Sequence, residues 1–158
     1  FRSFEWATTT EDRARLWQAR HHAFYAAVAL RPGCKPWTTD VCVPISHYAR
    51  VVLETRADVQ EAGILAPLVG HAGDGNFHLI FPLDPNDPAE LEQAKRINAR
   101  LLDRALAVGG TCSGEHGVGL GKMEYLSREH GEALEVMKTI KRALDPDNRM
   151  NPGKMLQR

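Results

Sequence analysis

Several features that would assign the chain to a specialised class are scarce or missing. There are three cysteines, Cys34, Cys42 and Cys112, an odd number with no C-x-x-C pair. That excludes a disulfide framework or a cysteine zinc site and makes a reducing compartment the default. Charge of one sign is missing too: 20 Lys and Arg balance 20 Asp and Glu, so no global field attracts nucleic acid or an anionic membrane. The longest apolar runs, Ala23 to Leu30 and Ile64 to Val69, fall far short of the roughly 20 residues that span a bilayer. No internal repeat or low-complexity stretch is present, and the chain opens at Phe1 without a leader; we read it as part of a longer protein.

What is present is a globular composition: 158 residues, 43% hydrophobic and 25% charged, enough for one compact unit with a sizeable core. Thr8 with Glu11 and Thr9 with Asp12 are capping signals for a helix from Thr10 to Leu30, ended by Arg31-Pro32-Gly33. Thr38 to Pro44 alternates and is β-branched, so it reads as a strand, and Ile45-Ser46 starts a helix running to Gly63. Ile64 to Gly70 reads as a core strand and Leu79 to Leu83 as a second. Asp87-Pro88 caps a helix to Val108, and the tail is helical from about Glu132 to Leu144. An Asp-Gly hairpin needs antiparallel pairing, so the expected class is α+β: an antiparallel sheet with helices packed on one face, a ferredoxin-like cap, plus a helical C-terminal segment.

Three places carry chemistry. Arg20 sits in the middle of the apolar face formed by Leu16, Trp17, Ala23, Phe24, Ala27 and Val28. It is either a snorkelling or ion-paired guanidinium, or an anion receptor. In His71-Ala72-Gly73-Asp74-Gly75-Asn76-Phe77-His78, a two-residue turn at Asp74 and Gly75 would place His71 directly opposite His78, with Cβ atoms about 4.5–5.5 Å apart. Two imidazoles so placed can chelate a metal ion or merely satisfy hydrogen bonds at a sheet end. Zinc in catalytic sites usually takes three protein ligands, so a carboxylate is the natural third.

The segment Gly109 to Lys122 holds six glycines around Glu115-His116. It is not a P-loop, since His116 stands where a glycine is needed and Met123 follows the lysine. Nor is it a Rossmann fingerprint, because it follows a helix. Glu115 is a candidate metal ligand and His116 a candidate base, imidazole being the side chain that titrates nearest neutrality; an ordinary solvated pair is the alternative.

Taken together, HAGDGNFH at 71–78, SGEHGVG at 113–119 and LDPDNRMNPGK at 144–154 resemble the C-terminal part of FAD-linked oxidases acting on D-2-hydroxy acids. The stretch from Trp17 to Ser46 is most similar to the cytochrome-type D-lactate dehydrogenase branch, with the glycolate oxidase branch close by. The resemblance implies that His71, His78 and Glu115 bind a divalent metal, zinc or manganese. It further implies that His116 is the catalytic base, that Arg20 grips the substrate carboxylate, and that Asn151 lies close to the flavin. The relatives specific for hydroxyglutarate carry asparagine where this chain has Ile80, which argues against a long dicarboxylate substrate.

Residues 1–108 would form a cap and substrate portion, and residues 109–158 the glycine-rich loop and helical tail. The N-terminal domain that wraps FAD is expected upstream, and the isolated piece should be inactive. Expected partners are a small 2-hydroxy acid, the FAD domain of the same protein and a second copy in a homodimer, without nucleic acid. The expected address is bacterial cytoplasm or peripheral membrane, or the mitochondrion in a eukaryote. Two rival readings use the same residues: a metal-dependent hydrolase built on the His-His-Glu set, and a non-catalytic cap in which they only stabilise the fold.

Overall fold

A computed structural model describes residues 6–156. The chain runs α1 (Thr10–Ala29), β1 (Lys35–Thr38), β2 (Val41–Cys42), α2 (Ile45–Ala62), β3 (Leu68–His71), a 3₁₀ turn (Ala72–Asp74), β4 (Asn76–Leu83), α3 (Pro88–Ala107), α4 (Met123–His130) and α5 (Ala133–Leu144). The class is α+β, as expected. β4 is the axis of a four-stranded antiparallel sheet: β1 and β2 pair with it along one edge and β3 along the other.

Local signals explain where most elements start and stop. Thr9 caps α1 by accepting from the amide of Asp12, and Asp87 caps α3 by accepting from that of Ala89, with Pro88 in its first turn. α2 ends at Gly63, whose φ of 65° is the left-handed conformation glycine adopts freely. α4 is an addition to the expected elements. Lys122, the residue before it, makes no side-chain cap, so the sequence offers no start signal.

β4 is buried along its whole length. Phe77, Leu79, Phe81 and Leu83 face α2 and α3, packing with Val51, Ala94, Ile97, Leu101, Leu102 and Ala105. These two helices cover one face, as predicted. The first helix lies against β4 from the other side, where Arg20 meets His71 and Arg31 donates to the carbonyl of Pro82. Helices therefore flank both faces. α1 is held lightly: Ala27 is its one buried residue, and Trp17 and Phe24 around Arg20 stay exposed, so the expected inward apolar face is largely in solvent.

The strand expectations need correction. The strand expected over Ile64 to Gly70 is the shorter β3, since residues 64–67 pair with no neighbouring strand as a ladder. The strand expected over Thr38 to Pro44 is instead β1 and β2 in one shared register on β4, broken at Thr39-Asp40, which puts Asp40 level with His78. The hairpin is not a two-residue turn. Ala72 to Asp74 form a 3₁₀ turn closed by Gly75 at φ 77°, with the amide of Gly75 donating to Ala72 O. The carbonyl of Gly75 also accepts from the amide of Val43 at 2.9 Å, and a Cβ there would lie 2.0 Å from Val43 O. Glycine is thus fixed both by conformation and by close approach. The longer turn shifts the register: His71 pairs with Asn76, and His78 with Val69. The two histidines share a face but are diagonal neighbours, not direct opposites.

Candidate functional site

The site lies where β4, the break between β1 and β2, and the glycine-rich segment meet. The segment is tied to β2 by reciprocal hydrogen bonds between Cys42 and Thr111. This brings Glu115 and His116 over His78.

His78 is buried, and its Nδ1 lies 3.0 Å from Thr39 O. A carbonyl only accepts, so Nδ1 carries a proton and Nε2 is the atom left to bind. Nε2 stands 2.8 Å from Oε1 of Glu115, yet it makes no hydrogen bond. The His116 ring stacks on that of His78, centroids 4.7 Å apart and planes 11° from parallel. His116 Nε2 is 3.9 Å from the same Glu115 oxygen. Glu115 and His116 are about half exposed, at 48% and 46%, so this end opens to solvent.

Beneath them lies a residue that sequence reasoning missed. Asp40 is 1% exposed. Its Oδ1 accepts from Asn76 Nδ2 and from the amide of Glu115. Its Oδ2 accepts from the amides of Glu115 and His116 and from Lys122 Nζ, all at 2.9–3.1 Å. Burial alone would push this carboxyl up, but the His116 amide, the Lys122 ammonium and the Glu115 amide outweigh it and hold the pKa at about 2. The available signal was an ionised residue interrupting an alternating β-branched run.

Arg20 and His71 form a second pair, with Arg20 Nη2 2.5 Å from His71 Nε2. Arg20 Nε is buried without a partner. Both residues line a cleft of about 430 Å³ with Arg13, Leu16, Trp17 and Gly70. His78 and Glu115 are thus brought together, with His116 beside them, while His71 meets Arg20 on the same face. Ile80 is buried, two residues along β4 from His78 and on its face. Asn151, with φ 46°, lies on the tail and lines another cleft of about 430 Å³ with Lys138, Arg142 and Lys154; the two clefts share no lining residue. Cys112 is buried and its thiol is pushed up to about 12 by burial and by Glu129, which keeps it a thiol rather than a nucleophile. Among the described residues, no helix is long and apolar enough to cross a membrane.

Comparison with known proteins gives a consistent result. Residues 2–155 match the family described as FAD linked oxidases, C-terminal domain. The chain is 56% identical to a probable mitochondrial D-lactate dehydrogenase of Danio rerio over 98% of its length, and 44% identical to a mitochondrial cytochrome D-lactate dehydrogenase of Arabidopsis thaliana over 97%. It is 37% identical to glycolate oxidase subunit GlcD of Bacillus subtilis (strain 168) over 97%. The chain spans 31%, 27% and 32% of these three relatives, respectively.

Proposed function

Because the chain belongs to the C-terminal domain family of the FAD-linked oxidases, we propose that it is the substrate- and metal-binding part of an FAD-dependent dehydrogenase. The reaction is oxidation of a D-2-hydroxy acid of the lactate type to the 2-oxo acid. The observation that carries this reading is the buried Nε2 of His78, without a hydrogen bond and 2.8 Å from a Glu115 oxygen. An imidazole nitrogen and a carboxylate oxygen converging in this way suit a divalent cation.

His78 and Glu115, with His71 at the same end of the sheet, would hold the cation; the carboxylate of Asp40 is already taken up by donors. When bound, FAD, carried by a domain upstream of this chain, supplies the hydride acceptor, and zinc or manganese supplies Lewis acidity at the 2-hydroxyl. Arg20, which lines the cleft and whose Nε has no hydrogen-bond partner, binds the substrate carboxylate in a charge-assisted pair. Half-exposed beside His78, His116 takes the proton of the 2-hydroxyl as the C2 hydrogen leaves. Thr39 O holds the His78 ring in the orientation that presents Nε2. Asn151 is assigned to the flavin side of the domain. The short, apolar Ile80 favours a small monocarboxylate over a dicarboxylate. Location in the mitochondrion of a eukaryote fits the names of the Danio and Arabidopsis relatives.

The test is anaerobic bleaching of the flavin in the full-length protein on adding D-lactate or L-lactate, with and without a chelator. Bleaching by the D-isomer alone, abolished by the chelator, is expected. Bleaching by the L-isomer contradicts the stereochemical reading, and bleaching indifferent to the chelator removes the metal from it. A chelator-sensitive esterase activity without flavin reduction would favour the hydrolase reading.

A further inference from the structure

The cation site has another carboxylate within reach. Asp40, His78 and His116 can each bring one ligand atom to within 4.8 Å of the others. Charge and distance alone would make Asp40 a ligand. Its hydrogen bonds argue otherwise. A carboxylate offers about four lone-pair sites, and those of Asp40 face Asn76 Nδ2, the amides of Glu115 and His116, and Lys122 Nζ. Lys122 Nζ also donates to the backbone carbonyl of Asp40 at 3.0 Å, locking the residue from both ends.

The glycine before these amides provides an independent observation. A Cβ on Gly114 would lie 2.5 Å from Asp40 Oδ1 and 2.2 Å from Asn76 Nδ2. No side chain fits there because the segment is drawn down onto the carboxylate. The required feature at Gly114 is space, since its φ is not among the positive values of the chain.

We propose that Asp40 is the positioning residue of the site: by accepting the backbone amides of Glu115 and His116 it sets where their side chains stand relative to His78, without being a ligand itself. For the identity of the ligands this rests on the function proposed above. Asp40 controls three things from one buried point: its own amide partners, the carboxylate–imidazole pair above them, and Lys122, whose charge it neutralises.

The test uses the full-length protein with its flavin. Asp40→Asn keeps the shape of the side chain but trades one acceptor oxygen for a donor. We expect zinc affinity, read by competition with a chelator, to fall by about 10–100-fold, the usual cost of losing a group that orients a metal ligand. We expect kcat to fall with it, and KM for D-lactate, set by Arg20, to stay near wild type. Hydrogen exchange at the amides of 115 and 116 should accelerate.

A merely charge-balancing Asp40 makes a different prediction for the double variant Asp40→Asn/Lys122→Met, which removes the buried cation as well. On the positioning account the double variant stays weak; recovery of zinc affinity and kcat would overturn it. Gly114→Ala serves if Asp40→Asn does not fold, because it leaves every charge in place and lifts the segment off the carboxylate. It should reproduce the loss of zinc affinity and the faster exchange, and wild-type values for both would overturn the proposal. Failure of the wild-type protein to bind zinc or manganese would instead count against the ligand set proposed above. In that case the exchange rates of the two amides still decide the role of Asp40.

Discussion

On β4, Phe77, Leu79, Phe81 and Leu83 turn toward α2 and α3, while Asn76, His78, Ile80 and Pro82 turn to the other side, and all eight are buried. The first set is apolar and gains from leaving water. The second includes a histidine and an asparagine whose burial is costly unless their polar atoms find partners. Some do: His78 Nδ1 has Thr39 O, and Asn76 Nδ2 has Asp40 Oδ1 and Val41 O. His78 Nε2 does not. One face of the strand thus supplies stability, and the other holds strictly oriented polar groups at some expense, which is the arrangement a binding site requires.

The largest effect on the apolar face is expected at Phe81. Phe81→Ala should lower unfolding free energy by about 3–5 kcal/mol, as truncation of a fully buried aromatic does, while leaving zinc affinity of the folded protein unchanged; denaturant titration and chelator competition check the two halves. His78→Ala should do the reverse. Its stability cost is smaller, about 1–3 kcal/mol for stranding the partner of a buried hydrogen bond, but metal content by elemental analysis should collapse. His71→Ala sharpens the point. If His71 completes the ligand set, metal content falls as it does for His78→Ala. Retained metal with a raised KM for D-lactate would assign His71 to Arg20 alone.

The smallest effect lies outside both faces, in the tail. Lys141 and, after it, the amides of Arg149 and Met150 hold the carboxyl of Asp145 down at about 2, against the opposing push of burial. The folded value lies below the unfolded one of 3.8, so the stability Asp145 contributes is present above the unfolded pKa and is lost as pH falls through about 2. Thermal unfolding from pH 6 downward should show Asp145→Asn flattening the acid limb between about 4 and about 2. An unchanged limb would contradict the clamp.

These particulars also show what the sequence made legible. Capping at Thr9 and Asp87, the antiparallel hairpin and the α+β class follow from contacts within a few residues, and all appear. His78, Glu115 and His116 stand out by their glycine-rich surroundings, and the fold brings them together. The register of the hairpin escapes a local reading because the Asp-Gly pair closes a longer turn, which Val43, just past β2, reaches with a hydrogen bond to Gly75. Asp40 escapes it for a related reason: its partners lie 36 to 82 positions away, and its one local mark, an acidic residue interrupting a β-branched run, is shared by any exposed aspartate on a strand. Chemistry carried by side chains near a turn is readable, whereas the support beneath it depends on pairing across the fold.

The role of His116 as base is tested by the rate of flavin reduction by D-lactate in the full-length His116→Ala protein, with metal content and unfolding free energy measured on the same sample. A general base is worth about 10²–10⁴-fold, so a slowing of that size is expected with metal and stability unchanged, since His116 is half exposed and stacks on the His78 ring. Reduction at the wild-type rate would contradict it.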